Sequence, residues 1–180
     1  TTALAHSRIF LVEVMGRDAG WLTLSAGIAG GADVILIPEI PYDIESVAET
    51  IERRKKKGRT FSIVAVAEGA ISKGDKVLSE EERRRQKEAN PYSTISYRIA
   101  DELEKLTGQE ARVTVPGHYQ RGGPACPYDR VLATRFGTAA ARMIMEQKYG
   151  YMVGIQSGQI VHVPLEEAAS RTKFLPVDHP

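Results

Sequence analysis

Three runs of the chain are almost wholly apolar, rich in β-branched residues and too short for a buried helix: Ile9-Phe-Leu-Val-Glu-Val14, Val34-Ile-Leu-Ile37 and Phe61-Ser-Ile-Val-Ala-Val-Ala67. Strands buried on both faces of a parallel sheet have this character. Each run empties into a polar or glycine-bearing segment before the next helical pattern begins. That alternation predicts an α/β fold, a three-layer doubly wound sandwich with a mostly parallel sheet. Glu13 is the one charge inside the first run.

The connections carry ordinary helix punctuation. Met15-Gly16-Arg17-Asp18-Ala19-Gly20 leads into a small-residue helix, Trp21–Ala29, that ends at Gly30-Gly31. Pro38 stops the second strand, and Asp43 can cap a helix whose stripe is Ile44, Val47, Ala48 and Ile51, closed by Gly58. The basic run Arg53-Arg-Lys-Lys-Lys57 reads most simply as a solvated face that complements the helix C-terminus, with an effector phosphate as the other reading. Residues 72–92 are charged and almost without apolar side chains, so they cannot build core. Ser79 followed by Glu82 is a capping box, which predicts an exposed helix of about ten residues in an insertion that has the character of a lid. Ile95, Ile99, Leu103 and Leu106 then mark an amphipathic helix ending at Thr107-Gly108. Later, Leu132, Phe136, Ala139 and Met143 form a helix stripe. Segments 152–155 and 160–163 flank Gln156-Ser-Gly-Gln159 as a hairpin, which makes His162 a strand-face residue. The tail from Pro164 reads as one helical turn and an irregular end.

The most concentrated polar motif is Arg112-Val-Thr-Val-Pro116-Gly-His118-Tyr-Gln-Arg121-Gly-Gly-Pro124. Val113 and Val115 alternate with Arg112 and Thr114 as in a half-buried strand, and Pro116, which has no N–H, ends the ladder. Arg112, His118 and Arg121 are expected to converge at this strand end, where arginine's planar fork suits a phosphate. The same residues also fit a plain tight turn, with Asp129 complementing the next helix dipole. Arg17 and Glu68 hold matching places after the first and third strands. Ligands of open α/β sheets bind outside the carboxyl ends of the strands, so Arg17, Glu68, His118 and Arg121 form one candidate cleft. The alternative for Glu68 is a salt bridge at a strand end.

Charge limits the partners. The 24 basic and 23 acidic residues leave a formal +1, which gives no global field for nucleic acid or a membrane surface, so any anion site is local. The single cysteine, Cys126, reads as a packing residue; it excludes an internal disulfide and a cysteine-cluster metal site, and fits a reducing, cytoplasmic setting. No apolar run approaches the roughly 20 residues that cross a bilayer, and the first residues lack the pattern of a secretory leader. A chain of 180 residues suffices for one sizeable core, or for one domain with pieces of another. Its start just before a strand, without a methionine, predicts a chain cut from something longer.

Taken together and in order, Val12-Glu-Val-Met15-Gly16-Arg17, Gly30-Gly-Ala-Asp33, Ala67-Glu68-Gly69, Gly117-His-Tyr-Gln-Arg121-Gly-Gly and Pro127-Tyr-Asp-Arg130 resemble the motifs of the 6-phosphofructokinases. The resemblance implies a two-domain phosphofructokinase-like fold. Residues 1–121 would be its sugar-phosphate-binding domain with the charged insertion, 122–163 would return to a donor domain, and 164–180 would be a tail. It also implies transfer of a phosphoryl group from Mg-ATP, or pyrophosphate in some members, to the 1-hydroxyl of fructose 6-phosphate in glycolysis. Positions matching Met15, Gly16, Arg17 and Glu68 line the sugar and the path of the transferred group, with Arg17 in the catalytic role. Those matching His118 and Arg121 hold the 6-phosphate, and Tyr119 and Gln120 lie between them in the same substrate-binding motif. Arg8 and Arg112 match arginines that reach in from a neighbouring subunit, which implies a homo-oligomer, a dimer or tetramer with shared sites. Asp33 and Lys57-Gly58-Arg59 match the place where regulated members bind a nucleotide effector.

The family's glycine-rich donor loop and its Thr-Ile-Asp-Asn-Asp segment, which supplies the base for the sugar hydroxyl, are not among the 180 residues. Magnesium is therefore expected to be held mainly by a donor domain, with no metal ligand in this chain, which alone would be inactive. Two other readings compete: a self-standing sugar-phosphate-binding or regulatory domain, and a generic α/β domain whose cations are only surface charge.

Overall fold

The computed structural model describes residues 7–79, 81, 82, 85 and 91–178. It divides into two compact units, one running to Gln120 and resuming at Phe174, the other Arg121–Lys173.

The first unit is built from β1 (Ile9–Val14), α1 (Trp21–Ala29), β2 (Val34–Leu36), α2 (Ile44–Lys56), β3 (Ser62–Ala67), a short α3 (Lys73–Lys76), α4 (Ile95–Thr107) and β4 (Ala111–Thr114). Its four strands are all parallel, in the order β2-β3-β1-β4. From β1 the chain skips to β2 at one edge, then works back through β3 and past β1 to β4 at the other. A right-handed crossover places its helix on a face set by the direction of travel. Accordingly, α1 lies on one face, with Gly27 against Ile35 and Ala65. The helices α2 and α4 cover the other, where Val47, Ala48, Ile51, Ile99, Ala100 and Leu103 join Ile9, Leu11, Leu36, Val64 and Val66 in the main core. β1 was expected to be buried on both faces. It is sealed on one: Ile9 and Leu11 are fully buried, whereas Phe10 and Val12 are half-buried, because α1 packs over β2 and β3.

The helices α2 and α4 follow their sequence cues. In α2, Asp43 Oδ1 accepts the Ser46 N–H at 3.4 Å, and Oδ2 takes the Lys73 ammonium at 2.9 Å. Chiefly through the Lys73 hydrogen bond, the Asp43 carboxyl falls to about 2. In α4, Ile99 and Leu103 are fully buried and Ile95 packs against the core, but Leu106 is half-exposed. It shares the azimuth of that stripe but sits in the last turn, two residues before the left-handed cap at Gly108.

The charged insertion is held by ions where it cannot supply core. Arg98 of α4 reaches Asp75 at 2.7 Å and Glu102 at 2.9 Å, and the Tyr92 hydroxyl donates to Asp101 at 2.6 Å. Burial opposes the charge on Arg98, but its bonds to Glu102 and Asp75 prevail and raise its pKa. The Ser79–Glu82 capping box is present, with the Ser79 N–H on Glu82 at 2.8 Å and the Glu82 N–H on the Ser79 hydroxyl at 3.3 Å. The rest of the expected helix, and with it the lid, falls mainly on residues 80, 83, 84 and 86–90, outside the described residues.

The second unit has α5 (Pro127–Met145), an antiparallel hairpin of β5 (Tyr151–Gln156) and β6 (Gln159–Pro164), and α6 (Leu165–Ser170). Ser157 and Gly158, both at positive φ, make the two-residue turn. On α5, Leu132, Phe136 and Ala139 are half-buried and Met143 is buried, as their spacing predicts.

Because Leu103 is fully buried among β-strand and helix side chains, Leu103→Ala should destabilise the first unit by about 2–5 kcal/mol. Urea unfolding followed by far-UV circular dichroism measures this, and a cost near zero would contradict the described core.

Candidate active site at the strand ends

Strand order decides which loops meet. β3, β1 and β4 are consecutive neighbours, so the segments leaving their carboxyl ends, which carry Glu68, residues 15–20 and residues 115–120, lie side by side. Their side chains grip the central loop through its backbone. Glu68 Oε1 accepts the Gly16 N–H at 3.0 Å and the Arg17 N–H at 2.7 Å. Gln120 Oε1 accepts the Met15 N–H at 3.2 Å, while its amide donates to the Gly117 carbonyl at 3.2 Å. Three successive N–H groups are thus satisfied by side chains from the two flanking strands' loops.

This grip sustains an uncommon conformation. Arg17 has φ +52°, a region that non-glycine residues adopt only when their surroundings impose it. Its carbonyl lies so close to Gly69 that a Cβ there would come within 2.1 Å of it. Glycine after Glu68 is therefore a steric requirement of the loop. The Arg17 side chain itself is exposed, as are His118, Tyr119 and Gln120 on the 3-10 turn Gly117–Arg121 that follows β4. Arg121 closes that turn and is the first residue of the second unit.

The expected convergence of Arg112 with His118 does not occur. Arg112 stands opposite Phe10 in the β1–β4 register, near the amino ends of those strands, and Arg8 immediately precedes β1. Both arginines share Glu110, Arg8 on Oε2 and Arg112 on Oε1. Sequence offered no signal for Glu110, since its partners are chosen by the pairing of β1 with β4.

Three further carboxylates escaped the sequence reading. Glu13, the charge inside the first apolar run, is buried and accepts the Ser96 N–H at 3.3 Å, so it caps α4 from another element. Glu39 takes the Gly20 N–H on both oxygens, at 2.9 and 3.1 Å. It follows Pro38 at a strand end, a position the rule that singled out Glu68 would also have flagged. Asp75 anchors the insertion on Arg98. A cleft of about 980 Å³ opens on the insertion side of Glu68 and also meets Glu13, Arg98, Asp101 and Lys105. The two cations among its described lining residues are engaged, Arg98 with Asp75 and Glu102, and Lys105 with Asp101 at 2.6 Å. Among the described residues, acidic side chains therefore outnumber basic ones along this cleft.

Residues 1–144 match the phosphofructokinase family model. The chain belongs to the phosphofructokinase family. It is 51% identical over 180 residues to an ATP-dependent 6-phosphofructokinase of Spirochaeta thermophila, covering all of this chain and 49% of that protein. Among solved structures, the phosphofructokinase of Saccharomyces cerevisiae superposes with TM-score 0.74 at 38% identity, over 93% of this chain and 21% of that one. A pyrophosphate-dependent phosphofructokinase from Marinobacter aquaeolei gives TM-score 0.77 at 25% identity, over 98% of this chain and 45% of that one. This phosphofructokinase chain spans about half the length of the curated relatives it matches.

Two expectations drawn from the family resemblance meet the structure here. Asp33 is committed locally, with Oδ2 accepting the Ile63 N–H at 2.8 Å and Oδ1 paired with Arg54 at 2.6 Å, while Lys57 and Arg59 are exposed. Among the described residues no group of three or more His, Cys, Asp or Glu side chains is placed to hold a metal. No described helix is long and apolar enough to cross a membrane.

The hydrogen bond from Arg8, aided by Arg112, holds the Glu110 carboxyl below its ordinary value. A carboxyl depressed by folding contributes stability above its unfolded value, and the contribution is lost as pH falls through the depressed one. The two ion pairs should therefore persist through mildly acidic pH. An NMR titration should place the Glu110 midpoint below the range of an unpaired glutamate, and Arg8→Ala should raise it.

Proposed function

We propose that this chain is the sugar-phosphate-binding portion of an ATP-dependent 6-phosphofructokinase. In the complete enzyme a phosphoryl group passes from ATP to the 1-hydroxyl of fructose 6-phosphate. One observation carries the reading: the family-matching residues Met15, Gly16, Arg17, Glu68 and Gln120 come from three adjacent strand ends and interlock there. ATP is preferred over pyrophosphate as donor because the relatives near 50% identity carry the ATP-dependent name, whereas the pyrophosphate-dependent structure is at 25%.

Phosphoryl transfer depends on positioning and on stabilising charge as it spreads over the transferred group. Arg17, exposed on a fixed loop, would supply positive charge to that group. Glu68 would position the sugar, alongside its backbone bonds. His118 and Arg121, with Tyr119 and Gln120 in the same turn, would bind the 6-phosphate. Arg8 and Arg112, held together by Glu110 away from these loops, would serve a neighbouring subunit's site in a dimer or tetramer. Magnesium would be held by a donor domain, to which residues 122–163 would return. The competing reading, a non-catalytic sugar-phosphate-binding domain, keeps the same ligand and drops the transfer.

In the full-length enzyme, Arg121→Ala should raise the KM for fructose 6-phosphate by about 10- to 150-fold, matching about 1.5–3 kcal/mol for a charge-assisted contact. An unchanged KM would defeat the assignment. Co-assembled Arg112→Ala and Glu68→Ala subunits should regain activity that neither has alone, since a hybrid site is then intact. Failure with hybrid assembly verified would remove the shared site.

Lacking the donor loop and base segment, the 180-residue chain alone should not turn over fructose 6-phosphate with magnesium and ATP or pyrophosphate in a coupled assay. Robust turnover would overturn the proposed division of labour.

A further inference from the structure

The loop that carries Arg17 is gripped at its far end as well as its near one. Gly20, its last residue, is the N-cap position of α1, a helix with no side-chain cap of its own and no acid in its first turn. The need is met from β2's exit. Both Glu39 oxygens accept the Gly20 N–H, at 2.9 and 3.1 Å, placing a carboxylate at the positive end of the helix. The approach is close: a Cβ on Gly20 would lie 2.6 Å from Ile37 and 2.8 Å from Glu39. Between the two grips the Ala19 N–H closes a turn onto the Gly16 carbonyl at 3.2 Å. Residues 16–20 are thus one short braced arch with Arg17 on it.

Glu39 has a second donor. Its Oε1 also accepts the Leu175 N–H at 2.9 Å, and the Leu175 side chain is buried. Leu175 belongs to the segment by which the chain re-enters the first unit at Phe174, just as Gln120, which holds Met15, is the residue by which it leaves. The two crossings between units are therefore tied to the two ends of the same loop.

We propose that Glu39 is a positioning residue for Arg17, and that Leu175 orients Glu39, so that the returning segment helps set the geometry of the phosphoryl-transfer site. This rests on the role for Arg17 given above. Glu39 needs no contact with substrate. It keeps Gly20, and through the turn Arg17, where the conformation at φ +52° is sustained.

The test uses the full-length enzyme with Glu39→Ala, Glu39→Gln, Leu175→Ala and the double variant Glu39→Ala/Leu175→Ala. Glu39→Ala should lower kcat by about 10- to 100-fold, the scale of a misplaced catalytic group, with KM for fructose 6-phosphate changed less than threefold. Glu39→Gln, which keeps an accepting oxygen, should recover most of that loss. Leu175→Ala should act in the same direction and add little in the double variant, as coupled residues do. Amide hydrogen exchange at Arg17 and Gly20 should quicken in Glu39→Ala. Full kcat in Glu39→Ala, or unchanged exchange at both amides, would overturn the proposal, as would additive effects for its Leu175 arm. If the unaltered enzyme fails to phosphorylate fructose 6-phosphate, the functional reading falls, and the exchange measurement still decides whether Glu39 holds the loop.

Discussion

The pairing of β1 between β3 and β4 is the constraint from which the rest follows. Parallel strands cannot be joined by a tight turn, so each connection must cross the sheet with a helix. The reversal of travel after β2 sends α1 to one face and α2 and α4 to the other. It also brings the loop of β1 between those of β3 and β4, so Glu68 reaches the N–H groups of Gly16 and Arg17 from one side and Gln120 that of Met15 from the other. Were β1 at an edge, one of these partners would be missing.

Carboxylates organise this chain at element ends. Glu13 and Glu39 supply the ends of α4 and α1, helices with no side-chain cap of their own, from distant strands. Glu68 takes two N–H groups of the loop between β1 and α1. An ionised carboxylate accepting backbone N–H groups makes a strong hydrogen bond that is costly to leave half-made. Each therefore fixes an approach between elements that apolar packing would set more loosely. The loops around the site are more rigidly specified than their glycine content suggests.

The cations are arranged differently. Arg8 and Arg112 lie at the amino ends of β1 and β4, bound to one glutamate, while His118 and Arg17 project from the opposite ends. A phosphate site drawing on both groups within one chain would have to span the length of the strands. That separation accords with the proposal that the two arginines serve a neighbour.

The amino-acid sequence by itself determined the α/β class, the strand positions, the described helices other than the short α3, and the loops that hold Arg17, Glu68 and His118. Apolar run length, the stripe Val47, Ala48 and Ile51, and signals such as Asp43, Gly108 and the Ser157-Gly158 turn act within a few residues of chain, so they are legible locally. Only the tertiary structure decided the order β2-β3-β1-β4, the half-open face at Phe10 and Val12, the removal of Arg112 from the His118 turn, and the partners of Glu13, Glu39 and Glu110. The physical reason is that a parallel strand run is compatible with several neighbours. Which strand lies beside which, and in what register, is settled by packing the whole chain at once. A carboxylate's partner 52, 83 or 136 residues away is then fixed by that packing rather than by any pattern around the carboxylate itself.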